Sequence, residues 1–534
     1  MNTLITNGKI YVEKGLFHEA MLIQDGIISQ TGSNSDFESA SYENHIDLGG
    51  KTVIPGLNDS HLHLSYVGTT MRSCKLNQAR SIEEIIEIGK NHLEANPGTA
   101  ALYGRGWNQD YFVTGEKRMI NRHDLDQIST DIPIVFVRVC GHMATGNSKA
   151  IEMLGVDETT TVEGGVIQLG EDGQPDGIFC ESATALLDTV IPEKTDLDIE
   201  KDFLTATDYA ISMGLTSVQS CDIQNVDAQR IFKVIRNIYS DSKTRLRFSH
   251  QFNFQDISGL EDYINTELNS DGYDEKFLSR GALKLFIDGS LGARTAFMLS
   301  DYHDEPGTRG VSVLSQEQLD DILSLASQHN IRVVTHAIGD GAVEMLINAY
   351  EKQMNGGENT LRHGIVHCQI TSAQQLERIA ALKIPVLYQP IFLDYDIQIV
   401  EDRVGEHLAS TSYAFNTLYQ LGTPVSFGTD SPVEDLNPWE NLYCAVTRQR
   451  LDGTPEGGFC PEERMDISDA IDCYTAGSAF NEFREDFKGR LMPGYAADLA
   501  VLDRDIFEID PEQIKNVRVD MTMINGEVVY TRNQ

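Results

Sequence analysis

The sequence of 534 residues has no Cys-x-x-Cys pair, and none of its apolar runs approaches 18 residues. A chain of this size does not depend on disulfides for its core, so its eight cysteines are expected to be reduced and mostly structural. The lack of a long apolar run excludes a predicted transmembrane helix. The opening MNTLITNGKIYVEKG also lacks the basic cluster, apolar core and cleavage site of a secretory signal, which predicts a cytoplasmic protein.

Basic residues are also scarce. The chain has 42 Lys and Arg residues against 81 Asp and Glu residues, and its formal net charge at pH 7 is -39. Such a charge repels phosphate backbones and anionic membrane surfaces, so neither nucleic acid nor a membrane is an expected partner. With 41% hydrophobic and 23% charged residues, the composition is that of an ordered globular protein. The acidic excess is expected to form a solvated surface that aids solubility.

The two ends of the chain share one pattern. Residues 1–56 contain short alternating segments separated by Asn-Gly, Asp-Gly and Gly-Gly pairs, and residues 488–534 repeat this style. Near the C terminus, the pair Asn525-Gly526 lies between two apolar alternations, as expected of a hairpin turn. The pattern predicts one small composite β-sandwich domain formed by both chain termini.

Residues 57–487 have an α/β pattern, in which short β-rich apolar runs recur with helical stretches between them. This alternation is typical of parallel β/α units and predicts a (β/α)8 TIM barrel. Asp340 is expected to cap the helix between strands five and six. The eight predicted strands end near His63, Ser220, Asn253, Asp288, His336, His367, Gln389 and Asp430.

One interval does not fit a simple barrel. About 150 residues separate the first predicted strand from the second, which is far more than one β/α unit needs. The sequence therefore predicts a large insertion at about residues 66–205. Because barrel loops build the active site, this insertion is expected to act as a lid or a substrate wall.

His61 and His63 are the first candidates for chemistry. In VIPGLNDSHLHL they are separated by one residue, so on a strand both side chains project to the same face. Two neutral imidazoles can then bind one metal ion, although a His-x-His pair by itself is equally compatible with a structural role. Their place at the end of the first barrel strand favours the metal, because barrel active sites lie at the carboxyl ends of strands.

Lys284 is the next candidate. In GALKLFIDGSLGARTA, Lys284, Phe286 and Asp288 alternate with apolar residues along a predicted buried strand. An inward ammonium group is costly there unless it is paired or neutralised. Reaction of the uncharged amine with carbon dioxide would give a carbamate whose two oxygens can bridge two cations. Two alternatives stay open, namely a structural pair between Lys284 and Asp288, and Asp288 itself as a ligand if the register differs.

Three further residues stand where an apolar run gives way to glycine or polar residues. They are His336 in VVTHAIGD, His367 in GIVHCQ and Asp430 in VSFGTDSP. Each alone is more often a core or loop residue. With the earlier candidates, they place His, His, Lys, His, His and Asp in order at the ends of strands one, four, five, six and eight. Chance does not readily produce this order, which predicts a metal-dependent catalytic site.

This order resembles the amidohydrolase superfamily, and in particular its amidohydrolase family 3 (YtcJ-like) branch, which includes N-substituted formamide deformylase. The resemblance covers nearly the whole chain and extends to VIPG, RGW, GHMATGNSKA, KLFIDGSLGARTA, THAIGDGA and the segment from Gly489 to Asp503. These motifs are specific for the branch and say little about the substrate.

The resemblance implies a ligand set, position by position. His61 and His63 are implied to bind one metal ion, and His336 and His367 a second. Lys284, as a carbamate, is implied to bridge the two, and Asp430 to complete the site. Nitrogen and oxygen ligands with open positions suit zinc, although Mn, Fe, Co or Ni also fit, and a single ion with unmodified lysine is a further arrangement of this branch.

The expected reaction is hydrolysis of a non-peptide carbon–nitrogen bond in an amide, formamide or cyclic amide. A bound divalent ion lowers the pKa of water from 15.7 to about 7 and polarises a carbonyl group. Asp430 is the candidate general base, which would later return the proton to the leaving nitrogen.

Two other functions stay open. Deamination of a ring amidine resembles this barrel, but usually uses a glutamate three residues after the strand-five histidine, where this sequence has Gly339. A non-catalytic binding protein would be expected to lack some ligands, and none is missing. Amide hydrolysis is therefore the favoured interpretation.

Four more residues are candidates for contact with a small-molecule substrate. His142 could donate a hydrogen bond to a substrate oxyanion, and Arg294 could contact the substrate from a glycine-rich loop. Trp107 and Tyr111 could line an apolar pocket, and packing within the insertion is the competing role for both. A homodimer is expected because barrels with an accessory domain often form one, although no surface patch in the sequence predicts it.

Overall fold

The computed structural model describes residues 2–140, 142–224, 227–354 and 357–532. The chain separates into two compact units, one of residues Met1–Val67 with Phe203–Gln534 and one of residues Gly68–Asp202. The second unit falls within the segment that the sequence marks as an insertion. The domain boundaries at residues 56 and 488 stay a prediction.

The strands are numbered in chain order. They are β1 (Asn2–Thr6), β2 (Lys9–Glu13), β3 (Leu16–His18), β4 (Ala20–Gln24), β5 (Ile27–Gly32), β6 (Asn44–Asp47), β7 (Thr52–Pro55), β8 (Leu57–Leu62), β9 (Cys74–Lys75), β10 (Leu102–Trp107), β11 (Ile134–Arg138), β12 (Met143–Gly146), β13 (Gly165–Leu169), β14 (Pro175–Glu181), β15 (Leu215–Gln224), β16 (Arg247–Asn253), β17 (Leu278–Phe286), β18 (Val333–Ala337), β19 (Gly364–His367), β20 (Val386–Tyr388), β21 (Val425–Phe427), β22 (Leu499–Leu502), β23 (Val519–Ile524) and β24 (Glu527–Thr531).

The α-helices are α1 (Leu64–Arg72), α2 (Ile82–Ala95), α3 (Arg122–Asp126), α4 (Ser148–Leu154), α5 (Thr184–Asp188), α6 (Asp196–Ser212), α7 (Ala228–Ser240), α8 (Ile257–Thr266), α9 (Gln316–Gln328), α10 (Asp340–Gln353), α11 (Ala373–Ala381), α12 (Leu393–Asp396), α13 (Val400–Val404), α14 (Glu406–Ala409), α15 (Phe415–Gln420), α16 (Pro438–Thr447), α17 (Ile467–Asp472) and α18 (Ser478–Asn481). Short 3-10 turns lie at Asn34–Phe37, Gln109–Tyr111, Pro390–Phe392, Pro461–Glu463 and Pro511–Asn516, and a π-helical turn at Cys473–Gly477.

Both chain ends contribute to a pair of sheets. One has the strand order β5-β4-β1-β6, and the other, β24-β23-β22-β7-β2-β3, combines N-terminal and C-terminal strands. Alternation along these strands buries one apolar face of each, and the buried side chains form a shared core that includes Ile5, Ile23, Val53, Leu499 and Met523. Asn525 and Gly526 turn the chain between β23 and β24, as predicted.

The middle of the chain forms an eight-stranded parallel sheet that curves into a nearly closed barrel, so the predicted fold class is confirmed. The strands pair in the order β8, β15, β16, β17, β18, β19, β20 and β21. A parallel pair must be joined by a long crossover, and helices supply it here, for example α9 between β17 and β18. The predicted Asp340 cap is wrong, because Gly339 is the N-cap of α10 and Asp340 Oδ1 instead accepts a hydrogen bond from Leu299 N at 2.9 Å.

The first and last barrel strands meet without a regular ladder. Within the described residues, the ladders run from β8 round to β21, and none joins β21 directly to β8. Two backbone hydrogen bonds link the strand ends instead, from Asp430 N to His61 O and from His63 N to Ser431 O, both 2.8 Å long. We call this junction, residues 57–63 against 425–431, the barrel seam.

The Gly68–Asp202 unit has its own sheet and core. Its strands follow the order β13-β14-β12-β11-β10-β9. One apolar cluster on this sheet includes Trp107, Phe112 and Phe136, and another includes Val135 and Phe179.

Two further predictions concern cysteines and membrane segments. All eight cysteines are free, and five of them are buried. In the part of the chain that the structure describes, no helix has both the length and the apolar composition that crossing a bilayer requires.

Candidate metal centre

Five of the predicted site residues lie at the carboxyl ends of the barrel strands. His61 lies within β8 and His63 directly follows it, while His336 and His367 lie at the ends of β18 and β19, and Asp430 follows β21 by three residues. Because all eight strands are parallel, their carboxyl ends meet at one rim of the barrel. The fold therefore brings residues that are almost 370 positions apart in sequence to one place.

His61, His63 and Asp430 form the tightest group. Asp430 Oδ1 lies 3.3 Å from His61 Nε2 and 3.2 Å from His63 Nε2. One ligand atom from each of the three residues lies within 4.8 Å of the other two. His367 is adjacent, with its Nε2 4.0 Å from Asp430 Oδ2.

Several polar atoms at this place are buried and have no hydrogen-bond partner among the described residues. They are His61 Nε2, Asp430 Oδ1 and Lys284 Nζ. A buried polar atom without a partner is costly, so three such atoms close together indicate a site for a ligand. Imidazole nitrogens and a carboxylate oxygen that converge are the donors that zinc and similar divalent ions prefer. The residues present therefore fit a divalent metal ion.

Glutamines fix the orientation of two of the histidine rings. His61 Nδ1 donates to Gln251 Oε1 over 2.5 Å, and His367 Nδ1 donates to Gln389 Oε1 over 2.7 Å. An acceptor at Nδ1 holds the proton there and leaves the Nε2 lone pair free to bind a metal. Burial lowers the pKa of His61 to about 4 and that of His367 well below its usual range, so both rings are neutral near pH 7.

His63 is held differently. Its Nδ1 donates to the backbone oxygen of Cys221 over 2.8 Å. Burial opposes its protonation, but the neighbouring Asp430 carboxylate and Cys221 together outweigh burial and raise the pKa of His63 well above its usual range. Burial likewise opposes ionisation of Asp430, yet His61 and His63 lower the pKa of that carboxyl well below its usual range. Metal binding at His63 requires the neutral ring and therefore competes with this proton.

His336 lies beside this group but is not part of it. Its ring centroid is 4.4 Å from that of His367. Its Nε2 donates to the backbone oxygen of Gly289 over 2.9 Å and lies 3.3 Å from Asp288 Oδ1. Because Nε2 of His336 carries the proton, Nδ1 of this ring carries the lone pair.

Lys284 is fully buried within β17, where its Nζ lies 3.8 Å from the centre of the Phe286 ring. Burial lowers the pKa of this amine. The alternative pair with Asp288 is not formed, and the Asp288 oxygens instead accept hydrogen bonds from the backbone amides of Phe297, Ile338 and Gly339. Lys284 is thus a buried amine with no hydrogen-bond partner among the residues that the structure describes, whereas Asp288 already has three donors.

The Arg294 side chain is engaged in ion pairs. Its guanidinium donates to both carboxylate oxygens of Asp304, at 3.1 and 2.8 Å, and its Nε lies 3.2 Å from Glu305. The structure therefore holds Arg294 within its own loop.

The remaining substrate candidates lie in the Gly68–Asp202 unit. Trp107 is fully buried in the core of that unit and donates from Nε1 to the backbone oxygen of Phe136 over 3.1 Å. This core position leaves no Trp107 surface to line a pocket. Tyr111 is 54% exposed. His142 is exposed, and its Nδ1 lies 3.0 Å from Glu181 Oε2, a partner that the sequence did not indicate.

Sequence reasoning missed the residues that hold the ligands. Gln251 and Gln389 lie on or next to β16 and β20, strands three and seven of the barrel, which carry no predicted ligand. Asp59 lies two residues before His61 and accepts a hydrogen bond from His61 N at 3.1 Å. The sequence does contain a signal for these residues, namely a polar residue on a buried barrel strand, which needs a hydrogen-bond partner. The identity of each partner depends on the neighbouring strand and is not visible in one sequence.

A parallel barrel with histidines and an aspartate converging at its carboxyl rim defines a class, the metal-dependent hydrolases built on (β/α)8 barrels. The chain is similar over 95% of its length to the whole of an uncharacterized metal-dependent hydrolase from Pyrococcus furiosus, with 29% identity and a TM-score of 0.79. The model of the amidohydrolase family matches residues 44–530. The protein belongs to the amidohydrolase family.

Two relatives with similar sequences agree with this family. YtcJ, an amidohydrolase-type protein of Bacillus subtilis (strain 168), is 31% identical over 541 residues, which cover 100% of both chains. The N-substituted formamide deformylase of Arthrobacter pascens is 25% identical over 96% of this chain and 95% of its own. The predicted family is therefore confirmed, and the protein is a metal-dependent hydrolase.

Proposed function

We propose that this protein hydrolyses a non-peptide carbon–nitrogen bond in an amide, formamide or cyclic amide. The observation that carries the proposal is the convergence of His61, His63 and Asp430, in which His61 Nε2 and Asp430 Oδ1 are buried and have no hydrogen-bond partner among the described residues. The name of the Arthrobacter pascens relative, an N-substituted formamide deformylase, supports the same bond type.

Zinc is the proposed metal. His61, His63 and Asp430 would hold one ion, and His336, His367 and a carbamate formed on Lys284 would complete a second site beside it. Nitrogen and oxygen donors of this kind are typical of catalytic zinc. When bound, the metal supplies Lewis-acid polarisation of the scissile carbonyl and makes water acidic enough to attack at neutral pH.

Asp430 is the proposed proton carrier. Its carboxylate is ionised, because His61 and His63 lower its pKa against the effect of burial. An ionised carboxylate beside the attacking water can accept its proton, and the same group can then deliver that proton to the departing nitrogen. Asp430 Oδ1 lies 3.3 and 3.2 Å from His61 Nε2 and His63 Nε2, so the carboxylate stands beside the atoms that would hold the metal.

Gly339 disfavours the deaminase alternative. A Cβ at this position would lie 2.1 Å from the backbone oxygen of Phe297, so no side chain fits there. The glutamate that ring-amidine deaminases usually place three residues after the strand-five histidine therefore has no room here, and hydrolysis of an amide is favoured.

The test is metal analysis combined with a hydrolysis screen. Protein purified without chelators should contain about two equivalents of zinc and hydrolyse at least one member of a panel of N-substituted formamides, acetamides and cyclic imides. His61→Ala and Asp430→Asn should lose hydrolysis by more than the roughly 10- to 100-fold that loss of an outer ligand partner causes. The exposed residue His407 provides the control, because His407→Ala should leave metal content and hydrolysis unchanged.

Other outcomes would contradict parts of the proposal. Retained hydrolysis in His61→Ala would remove that residue from the site. One equivalent of metal would contradict the second ion and the carbamate. Release of ammonia from amino-substituted rings, with no amide hydrolysed, would favour the deaminase, and failure to bind any divalent metal would overturn the proposal.

A further inference from the structure

Asp59 is a buried carboxylate at the barrel seam that no part of the proposed reaction uses. It lies on β8, two residues before His61, and is fully buried. Its oxygens accept hydrogen bonds from groups on both sides of the seam. On its own strand the donor is His61 N, at 3.1 Å.

The donors from the last barrel strand belong to Thr429. The backbone N of Thr429 lies 3.2 and 3.0 Å from the two Asp59 oxygens, and Thr429 Oγ1 donates to Oδ2 over 2.7 Å. Thr429 directly precedes Asp430, just as Asp59 closely precedes His61. One carboxylate therefore contacts the backbone of His61 on the first barrel strand and the residue next to Asp430 after the last.

Gly428 allows the two strand ends to come this close. A Cβ at Gly428 would lie 2.6 Å from His61 N and 2.7 Å from Asp59 Oδ1. Both distances are shorter than any ordinary contact, so a side chain here would push the strands apart. The close approach matters because no regular ladder joins β8 to β21 in the described part of the barrel.

The distance between the ligand groups thus depends on the seam. His61 and His63 are carried by the first barrel strand, and Asp430 by the last, yet Asp430 Oδ1 lies 3.2 to 3.3 Å from both Nε2 atoms. The two backbone bonds of the seam and the Asp59 carboxylate are what hold the two strand ends at that separation.

We propose that Asp59 is a positioning residue, which clamps the ends of the first and last barrel strands so that His61, His63 and Asp430 are preorganised for one metal ion. The inference rests on the proposed metal site. Asp59 itself contacts neither metal nor substrate and acts through the backbones of His61 and Thr429. Closure of the barrel and assembly of the metal site are then a single structural event.

The decisive variant is Asp59→Asn, tested on the full-length chain with metal alone. The Asp59 oxygens face the backbone N–H groups of His61 and Thr429, which can only donate, so an asparagine of the same shape must turn its own NH2 group toward at least one of these two groups. We expect the dissociation constant for Zn(II), measured by chelator competition, to rise about 10- to 100-fold, as loss of an outer ligand partner typically does. The visible absorption spectrum of the Co(II)-loaded protein should also change, because the ligand geometry changes.

Asp396→Asn is the matched control. Asp396 is also a buried aspartate of the barrel unit, and it accepts hydrogen bonds from Tyr413 OH at 2.7 Å and Gln369 Nε2 at 3.3 Å, neither of which belongs to a seam residue. Its replacement should leave Zn(II) affinity and the Co(II) spectrum unchanged. Gly428→Ala, which opens the seam from the other side, should weaken Zn(II) binding as Asp59→Asn does.

Thr429→Val is the second variant, which tests the role of Asp59 if Asp59→Asn does not fold. It removes the hydroxyl that donates to Asp59 and that accepts from Ser431 N at 3.3 Å, and it retains the backbone bond from Thr429 to Asp59. A smaller rise in the Zn(II) dissociation constant is therefore expected. Unchanged affinity and spectrum in Asp59→Asn, or in Thr429→Val where Asp59→Asn does not fold, would overturn the role of Asp59. A wild-type chain that binds no metal would instead overturn the proposed function.

Discussion

At the scale of single residues, Lys284 sets the strongest constraint on the chemistry. Its amine is buried, lies over the Phe286 ring and has no hydrogen-bond partner among the described residues. Burial lowers its pKa, which increases the fraction of uncharged amine that can react with carbon dioxide. A carbamate would remove the penalty of a buried ammonium group by turning it into a metal-bound anion. Asp288 does not neutralise this amine, because its oxygens accept hydrogen bonds from three backbone amides instead.

Replacing Lys284 tests the carbamate. Lys284→Ala should lower the metal content and reduce hydrolysis, because the bridging oxygens are lost. Added short carboxylic acids, such as acetate or propionate, should partly restore both, since they can occupy the emptied space and supply two oxygens. The measurements are metal equivalents per chain and hydrolysis rate with and without the acid.

The control for this variant is Lys352→Ala. Lys352 is 54% exposed and pairs with Asp320 at the surface, so its loss should change neither quantity. Full retention of metal in Lys284→Ala would show that the lysine is not a ligand.

At the scale of elements, the barrel strands without ligands support those that have them. β16 presents Gln251 to His61, and Gln389, directly after β20, reaches His367. Each glutamine also donates from Nε2 to a backbone oxygen, Gln251 to Ser60 and Gln389 to Leu387. The amide is therefore anchored at one end and orients a histidine at the other. Neighbouring strands in a barrel provide this arrangement because their carboxyl ends share one rim.

Gln389→Leu should weaken the site while leaving the barrel folded. Leucine has a similar size but cannot accept the His367 Nδ1 proton, so the ring is free to rotate or to change tautomer. We expect metal affinity or hydrolysis to fall about 10- to 100-fold. Isothermal titration of the metal-free protein with Zn(II), together with the far-UV circular dichroism spectrum, measures both effects.

Gln375→Leu is the comparison for that change. Gln375 is as buried as Gln389, but it donates to the backbone oxygen of Asp340 and contacts no ligand ring. Equal loss of metal affinity in the two variants would mean that the effect comes from general destabilisation and not from the orientation of His367.

At the scale of the whole molecule, a buried ion pair joins the barrel to the sheets built from the chain termini. Arg247, the first residue of β16, donates to both oxygens of Asp498 at 2.6 and 2.9 Å, and both side chains are almost fully buried. The guanidinium also lies between the rings of Phe277 and Phe487, 4.8 and 4.9 Å from their centres. Asp498 additionally accepts from Asn525 N in the C-terminal hairpin, at 2.8 Å. One carboxylate thus connects the barrel to the composite domain.

Asp498→Asn should lower the stability of the protein markedly. The change leaves the Arg247 charge buried and uncompensated, and breaking a buried pair in this way costs about 3–5 kcal/mol. Chemical denaturation at a fixed metal concentration measures the loss. Asp301→Asn removes the partner of the exposed Arg309 and should cost less than about 1 kcal/mol. Similar midpoints for the two variants would show that the Arg247–Asp498 pair contributes little to stability.

The parallel barrel, the terminal sheets and the strand ends that carry His61, His63, His336 and His367 could be predicted from the sequence. These features are local, because periodicity and turn residues act over a few positions of the chain. Which side chains contact one another could be seen only once the chain was folded. In the folded protein Lys284 does not pair with Asp288, and Trp107 is buried in a core. Asp59 accepts a hydrogen bond from Thr429, which lies 370 positions away in the sequence. Such contacts depend on which strands become neighbours and how closely they approach, and the closure of the barrel sets both.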